Sequence, residues 1–281
     1  MSMKEEVSMS NITKVFKMGR LPRTHDRRIP MLHSLVASAG IAPQPVVPAV
    51  DYTNRMPANL GMMLNDKLGD CTCAAYYHAI QVWTFNSLQN MLTEPDADVE
   101  DLYEQACGYN PAKGGEGPGG NEQHVLTFIL RKGAPFGPAG NQRHHINAFV
   151  EVDVTNIDNI KRTIYDCGVA YIGFNVPQYI MPPGKNPLPI WDVNPAGDNT
   201  IVGGHAVVLA GYDAAGARVI SWGSYYTMTW AFFTKFVDEA YAIADLDWIS
   251  AKNTTPGGLS LKQLEQAMQA LKADAAERTA A

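Results

Sequence analysis

Asn65-Asp66-Lys67-Leu68-Gly69-Asp70-Cys71 closes a polar loop on a cysteine, and an apolar helix starts from that cysteine. Ala74, Ala75, His78, Ala79, Val82 and Trp83 recur at i, i+3, i+4 spacing, so the helix is buried along a broad face. A second stretch, Gly203-Gly204-His205-Ala206-Val207-Val208-Leu209-Ala210-Gly211-Tyr212, places a histidine at the head of an apolar strand. A thiol at a helix N-terminus beside an imidazolium is acidified, and the thiolate is the nucleophilic form. Cys71 and His205 are therefore the two parts of a thiol–imidazole nucleophile. Taken singly, each has a plainer explanation, as a small buried hydrophobe and as a core histidine. Asn65 changes the balance. It lies on the loop entering the helix, where its amide can join the Cys71 backbone N–H as an oxyanion hole for acyl transfer, although an Asn-Asp pair is also common turn chemistry.

Outward from this helix, Val99 to Cys107 fits a second helix stopped by Gly108, and Glu122 to Lys132 a third stopped by Gly133. The intervening segment 108–120 is rich in glycine. It is either a flexible linker or a backbone surface that lets a ligand approach closely. Upstream, Pro22, Pro30, Pro43, Pro45 and Pro48 keep the backbone extended. Residues 1–46 read as an arm lying over the surface of the next domain, with Arg20, Arg23, Arg27 and Arg28 as a solvated cluster.

Downstream, Asn156 caps a helix carrying Ile157, Ile160 and Ile164 and closed by Gly168. Val169–Val176, Val202–Tyr212 and Arg218–Trp222 read as strands. Thr229 caps an amphipathic helix running to Tyr241, with Phe232, Phe233, Phe236, Val237 and Ala240 inward. A helical half followed by a strand-rich half defines an α+β class with two unlike lobes and a cleft between them. The division is an arm at 1–46, a two-lobed domain at 47–250 and a helical tail at 251–281.

The bulk properties limit the function. The chain has 281 residues, 46% hydrophobic and 18% charged, with a net charge of −6, an ordinary globular mixture without the basic stripe of a nucleic-acid binder. No run approaches the roughly 18 apolar residues of a membrane helix. Met1 to Met18 lacks the apolar core of a signal peptide. The four cysteines, Cys71, Cys73, Cys107 and Cys167, form no disulfide framework. These features predict a cytoplasmic protein with reduced thiols and no partner among nucleic acids or membranes. Cys73 is a rival nucleophile, but it has Lys67 six residues upstream and lies deeper in the helix. A metal site from Cys71, Cys73, His78 and His144 or His145 has no usual zinc spacing, and no cofactor is expected.

The ordered series of motifs resembles the papain-like cysteine peptidases. Val50-Asp51-Tyr52 resembles their Val-Asp-Trp. Asn65 stands where they carry glutamine, six residues before the nucleophile, and Cys71 starts the helix. His205-Ala206-Val207 through Gly211-Tyr212 resembles their His segment, and Ser221-Trp222-Gly223 their Ser-Trp-Gly. The resemblance covers about residues 47–250. It implies a papain-like two-lobed fold, helical in the N-terminal lobe and antiparallel β-rich in the C-terminal one. The implied activity is thiol-dependent cleavage of peptide or isopeptide bonds in a peptide or protein substrate, with Cys71 as nucleophile, His205 as base and acid, and Asn65 as oxyanion donor.

The sequence also departs from the family. Ile220 stands at the family's histidine-orienting Asn, Thr72 replaces the Trp after the nucleophile, and Leu68 replaces a disulfide-forming Cys. Ser221, with Trp222 beside it, or water on a nearby carboxylate, is left to orient His205. The alternative is a papain-like domain that no longer catalyses and acts as a structural or binding module. In that case the arm and tail would dock a second copy or an assembly such as a phage particle.

Overall fold

The computed structural model describes residues 16–24, 26, 29, 31–32, 46–137 and 140–248. The predicted C-terminal tail and most of the arm lie outside these residues. After a short strand β1 (Val50–Asp51), the first half carries helices α1 (Cys71–Leu88), α2 (Asp96–Cys107) and α3 (Glu122–Lys132). Three short strands follow, β2 (Ala134–Phe136), β3 (Gln142–His144) and β4 (Ala148–Glu151), then helix α4 (Ile157–Cys167). The second half consists of β5 (Ala170–Pro177), β6 (Ile190–Trp191), β7 (Ile201–Tyr212), β8 (Gly216–Ser221), β9 (Ser224–Thr229), helix α5 (Trp230–Phe236) and β10 (Val237–Ala244).

The main sheet runs β4-β10-β5-β7-β8-β9-β6, with β1 beside the end of β7. Every pairing in it is antiparallel except β6 with β9. Two hydrophobic cores share this sheet. One packs α1, α2 and α3 against Ala206, Val208 and Ala210 of β7. The other gathers Val207 and Leu209 of the same strand with Phe174, Trp191, Trp222 and Phe232. Alternation along β7 thus separates the two lobes, and His205 falls at the head of the second set.

Local chemistry accounts for the boundaries. Asn121, Asn156 and Thr229 accept backbone N–H groups at the starts of α3, α4 and α5. Gly108 in the left-handed region (φ 77°) ends α2. The helix expected from Thr229 to Tyr241 stops at Phe236. Val237–Ala244 becomes β10, because its edges pair with both β4 and β5 and this ladder outweighs an amphipathic pattern that also fits a helix. Segment 134–151, unassigned in the sequence reading, supplies β2, β3 and β4.

Candidate active site

Cys71 opens α1, with Asp70 at the cap position. Its sulfur is buried and accepts the Ala206 N–H at 3.4 Å, which places it against β7 one residue beyond His205. The Gly19 N–H also points at the sulfur. Burial pushes the Cys71 thiol up to about 12, and the adjacent Asp70 carboxyl adds to the shift while the two N–H groups oppose it. Cys73, the rival, faces the other way. It is buried and hydrogen-bonded to Cys107, away from the strand that carries His205.

His205 is buried and places Nε2 2.7 Å from Ser221 Oγ, leaving Nδ1 with no hydrogen-bond partner. Trp222 stacks on the imidazole, with ring centroids 4.2 Å apart and planes 12° from parallel. The loop that delivers Trp222 is a two-residue hairpin between β8 and β9. Trp222 (φ 46°) and Gly223 (φ 67°) both occupy the left-handed region, as a primed turn requires. A tryptophan there is unusual. It is fixed by its stacking on His205 and by donating Nε1–H to the Lys17 carbonyl at 2.8 Å. Ile220 points into the helical core, so its apolar side chain has no part in holding the histidine. Burial, reinforced by the positive charge of Arg20, pulls His205 down to about 3.

Asn65 is buried on the loop before α1, and its Nδ2 donates to Leu68 O and Asp70 Oδ1, each at 3.1 Å. Both amide hydrogens are engaged within the loop, so an oxyanion would have to displace one of them. The residues of the alternative metal reading are not brought together. His78 is buried and pairs with Gln81 at 2.8 Å, whereas His144 sits against Asp245 and Asp247.

The arm departs most from the sequence reading. Residues 16–20 do not lie over the surface; they thread the cleft between the lobes, and 21–24 follow as exposed chain. Gly120 donates to Gly19 O and Leu21 to Gly120 O, each at 2.8 Å, while Arg20 donates to Gly204 O at 3.0 Å. Lys17 donates to Asn65 O at 2.9 Å and ion-pairs with Glu116. The glycines explain how the strap fits. A Cβ on Gly119 or Gly120 would collide with the strap or with Thr72, and one on Gly204 would approach Arg20 O to 2.5 Å. The Gly-rich segment is therefore a close-approach surface. Arg20, expected to be solvated, is buried with Asp238 and Glu239, because backbone pairing on both sides turns its side chain into the protein. The sequence signal for this was the pair of acids inside an otherwise apolar strand, Val237-Asp238-Glu239-Ala240-Tyr241.

This architecture is papain-like. Xylellain, a cysteine protease from Xylella fastidiosa, superposes with a TM-score of 0.60 at 18% identity over 83% of this chain and 97% of that one. The proform of the ragweed pollen cysteine protease Amb a 11 superposes with a TM-score of 0.52 at 11% identity over 74% and 69%. Procathepsin L 3 of the Tenebrio molitor larval midgut gives a TM-score of 0.50 at 12% identity over 83% and 76%. No protein-family model and no curated protein sequence matches the chain. Among the described residues no helix is long and apolar enough to cross a membrane.

Proposed function

We propose that the chain is a thiol-dependent hydrolase of peptide or isopeptide bonds, held latent by its own residues 16–20. The observation that carries this reading is the arrangement at the cleft. Cys71 Sγ lies against the backbone of β7, and the neighbouring His205 has one nitrogen on Ser221 and the other unpaired.

In this reading Cys71 gives its proton to Nδ1 of His205, and the Nε2–H of the resulting imidazolium donates to Ser221 Oγ under the Trp222 ring. The thiolate attacks the substrate carbonyl carbon. The developing oxyanion is received by the Cys71 backbone N–H and by Asn65, once Nδ2 releases Leu68 O or Asp70 Oδ1. Collapse breaks the C–N bond, with His205 returning its proton to the leaving amine. Water then hydrolyses the thioester as His205 accepts and returns a proton. Ser221 takes over the orienting role that Ile220 cannot fill, which weighs against a degenerate module. A serine hydroxyl can donate as well as accept, so it fixes the tautomer less firmly than a carboxamide oxygen.

Latency follows from two observations. The strap presents the Gly19 amide N–H to the sulfur and so occupies the space a substrate carbonyl would need. It also seals the pair from water, which leaves thiol and imidazole neutral. The test is turnover of a denatured protein substrate by full-length Arg20→Ala. Cleavage that is lost in both Cys71→Ala and His205→Ala versions is the expected result. Cleavage that survives Cys71→Ala contradicts the reading.

A further inference from the structure

The Arg20 side chain ends among acids that belong to the body of the domain. Its Nη1 meets Glu239 Oε1 at 2.5 Å and Asp238 Oδ1 at 2.8 Å, and its Nη2 meets Asp238 Oδ2 at 3.1 Å and Asn175 Oδ1 at 3.3 Å. The side chains of Arg20 and Glu239 are essentially inaccessible to water. Glu122, fully buried, has neither carboxyl oxygen hydrogen-bonded, and the Arg20 Nε–H is likewise unmatched. The acids are held by residues outside the strap: Asn175 Nδ2 donates to Asp238 at 3.0 Å and Tyr241 OH to Glu239 at 2.9 Å. Gly173 leaves room for the Arg20 side chain. A Cβ there would stand 2.6 Å from Arg20 Cδ and 2.9 Å from Glu239 Cγ.

We propose that this acidic site is a specificity pocket for a basic side chain, and that the hydrolase therefore acts on peptides carrying arginine, or less well lysine, at the position Arg20 now fills. The inference rests on the peptidase reading above. The backbone of Gly120 and Gly204 grips any extended peptide without regard to sequence, so selectivity must come from the pocket the side chain enters. That pocket holds the acids Asp238, partly exposed, and Glu239, buried, with Glu122 behind them. Burial raises Glu239 and Glu122 while the Arg20 guanidinium opposes that shift, so vacating the pocket removes the cation that favours their charged forms. A planar guanidinium reaches both acids through its two terminal nitrogens, whereas an ammonium meets them only as a point charge. Arg20 is then the chain's own occupant of its substrate pocket.

The test uses full-length chain carrying Arg20→Ala and Cys71→Ala, and fluorescence anisotropy of two labelled alanine-rich hexapeptides. One contains a single arginine, the other citrulline, which is isosteric and neutral. The arginine peptide is expected to bind about 30-fold more tightly, as for a buried charge that loses its partner. The gap should largely close in Glu239→Gln. If that variant does not fold, Asp238→Asn, whose carboxylate is partly exposed, serves instead. Equal affinities, or binding of neither peptide, overturn the pocket. Turnover is read separately with Cys71 restored. Selective binding without cleavage counts against the hydrolase reading alone, and cleavage indifferent to arginine counts against the pocket alone.

Discussion

Cys71 and Cys73 lie in the same first turn of α1, and both are buried. In both, burial pushes the thiol above its ordinary range. Their surroundings differ in kind. Cys71 receives backbone N–H groups from Ala206 and Gly19, groups that stabilise a thiolate. Cys73 hydrogen-bonds another thiol, Cys107, within the helical lobe. Neither burial nor position at a helix start separates the proposed nucleophile from a packing residue. The separation comes from which wall of the cleft the sulfur faces, and the two-residue offset rotates it by more than half a helical turn.

That contrast can be broken by substitution. Cys71→Ala is expected to lower turnover of the opened chain by at least about 10⁴-fold, while Cys73→Ala leaves it unchanged. Steady-state rates on one peptide decide between the two. His205→Ala should cost about 10²–10⁴-fold in the same assay, as loss of a general base does. Arg20→Ala removes one partner of a buried ion pair, worth about 3–5 kcal/mol. Alkylation of Cys71 should then accelerate by about 100-fold or more, with Cys73 unaffected, read by peptide mapping. Ser221→Ala removes a single neutral hydrogen bond, so a loss of about 3- to 10-fold in turnover is expected.

The pH dependence sharpens the same contrast. In the strapped chain the Cys71 thiol, at about 12, should be alkylated ever faster as pH rises from 7 to 10, without a plateau. In Arg20→Ala, a thiolate paired with imidazolium should already plateau near neutral pH. The histidine also bears on stability. Its folded value of about 3 lies below the unfolded value near 6.5, so between these limits the unfolded chain binds more protons. This contribution is intact above about 6.5 and is lost as pH falls towards 3, which denaturant titrations of wild type and His205→Gln would register as a smaller acid loss in the variant.

The papain-like architecture was legible because its signals are local and ordered. A cysteine on a helix start, a histidine on an apolar strand and a Ser-Trp-Gly turn each impose backbone chemistry that the sequence displays. Ser221 could be named as a candidate orienter because Ile220 has no polar group, but its 2.7 Å approach to His205 depends on the register of β7 with β8. The strap was not legible. Its position depends on backbone pairing with Gly120 and Gly204, which lie 100 and 184 residues away and leave no periodicity in the arm. The helix expected through Tyr241 failed for a related reason: Phe232, Phe233, Phe236, Val237 and Ala240 suit a helical face, and only the unpaired edges of β4 and β5 turn the second part into a strand.

The most direct measurement is the site of alkylation in full-length Arg20→Ala at neutral pH, mapped by mass spectrometry with His205 present and with His205→Ala. Modification concentrated on Cys71 and slowed at least about tenfold without the imidazole is the predicted result. Modification of Cys73 or Cys107 first, or a Cys71 rate indifferent to residue 205, would contradict a thiol–imidazole nucleophile in this cleft.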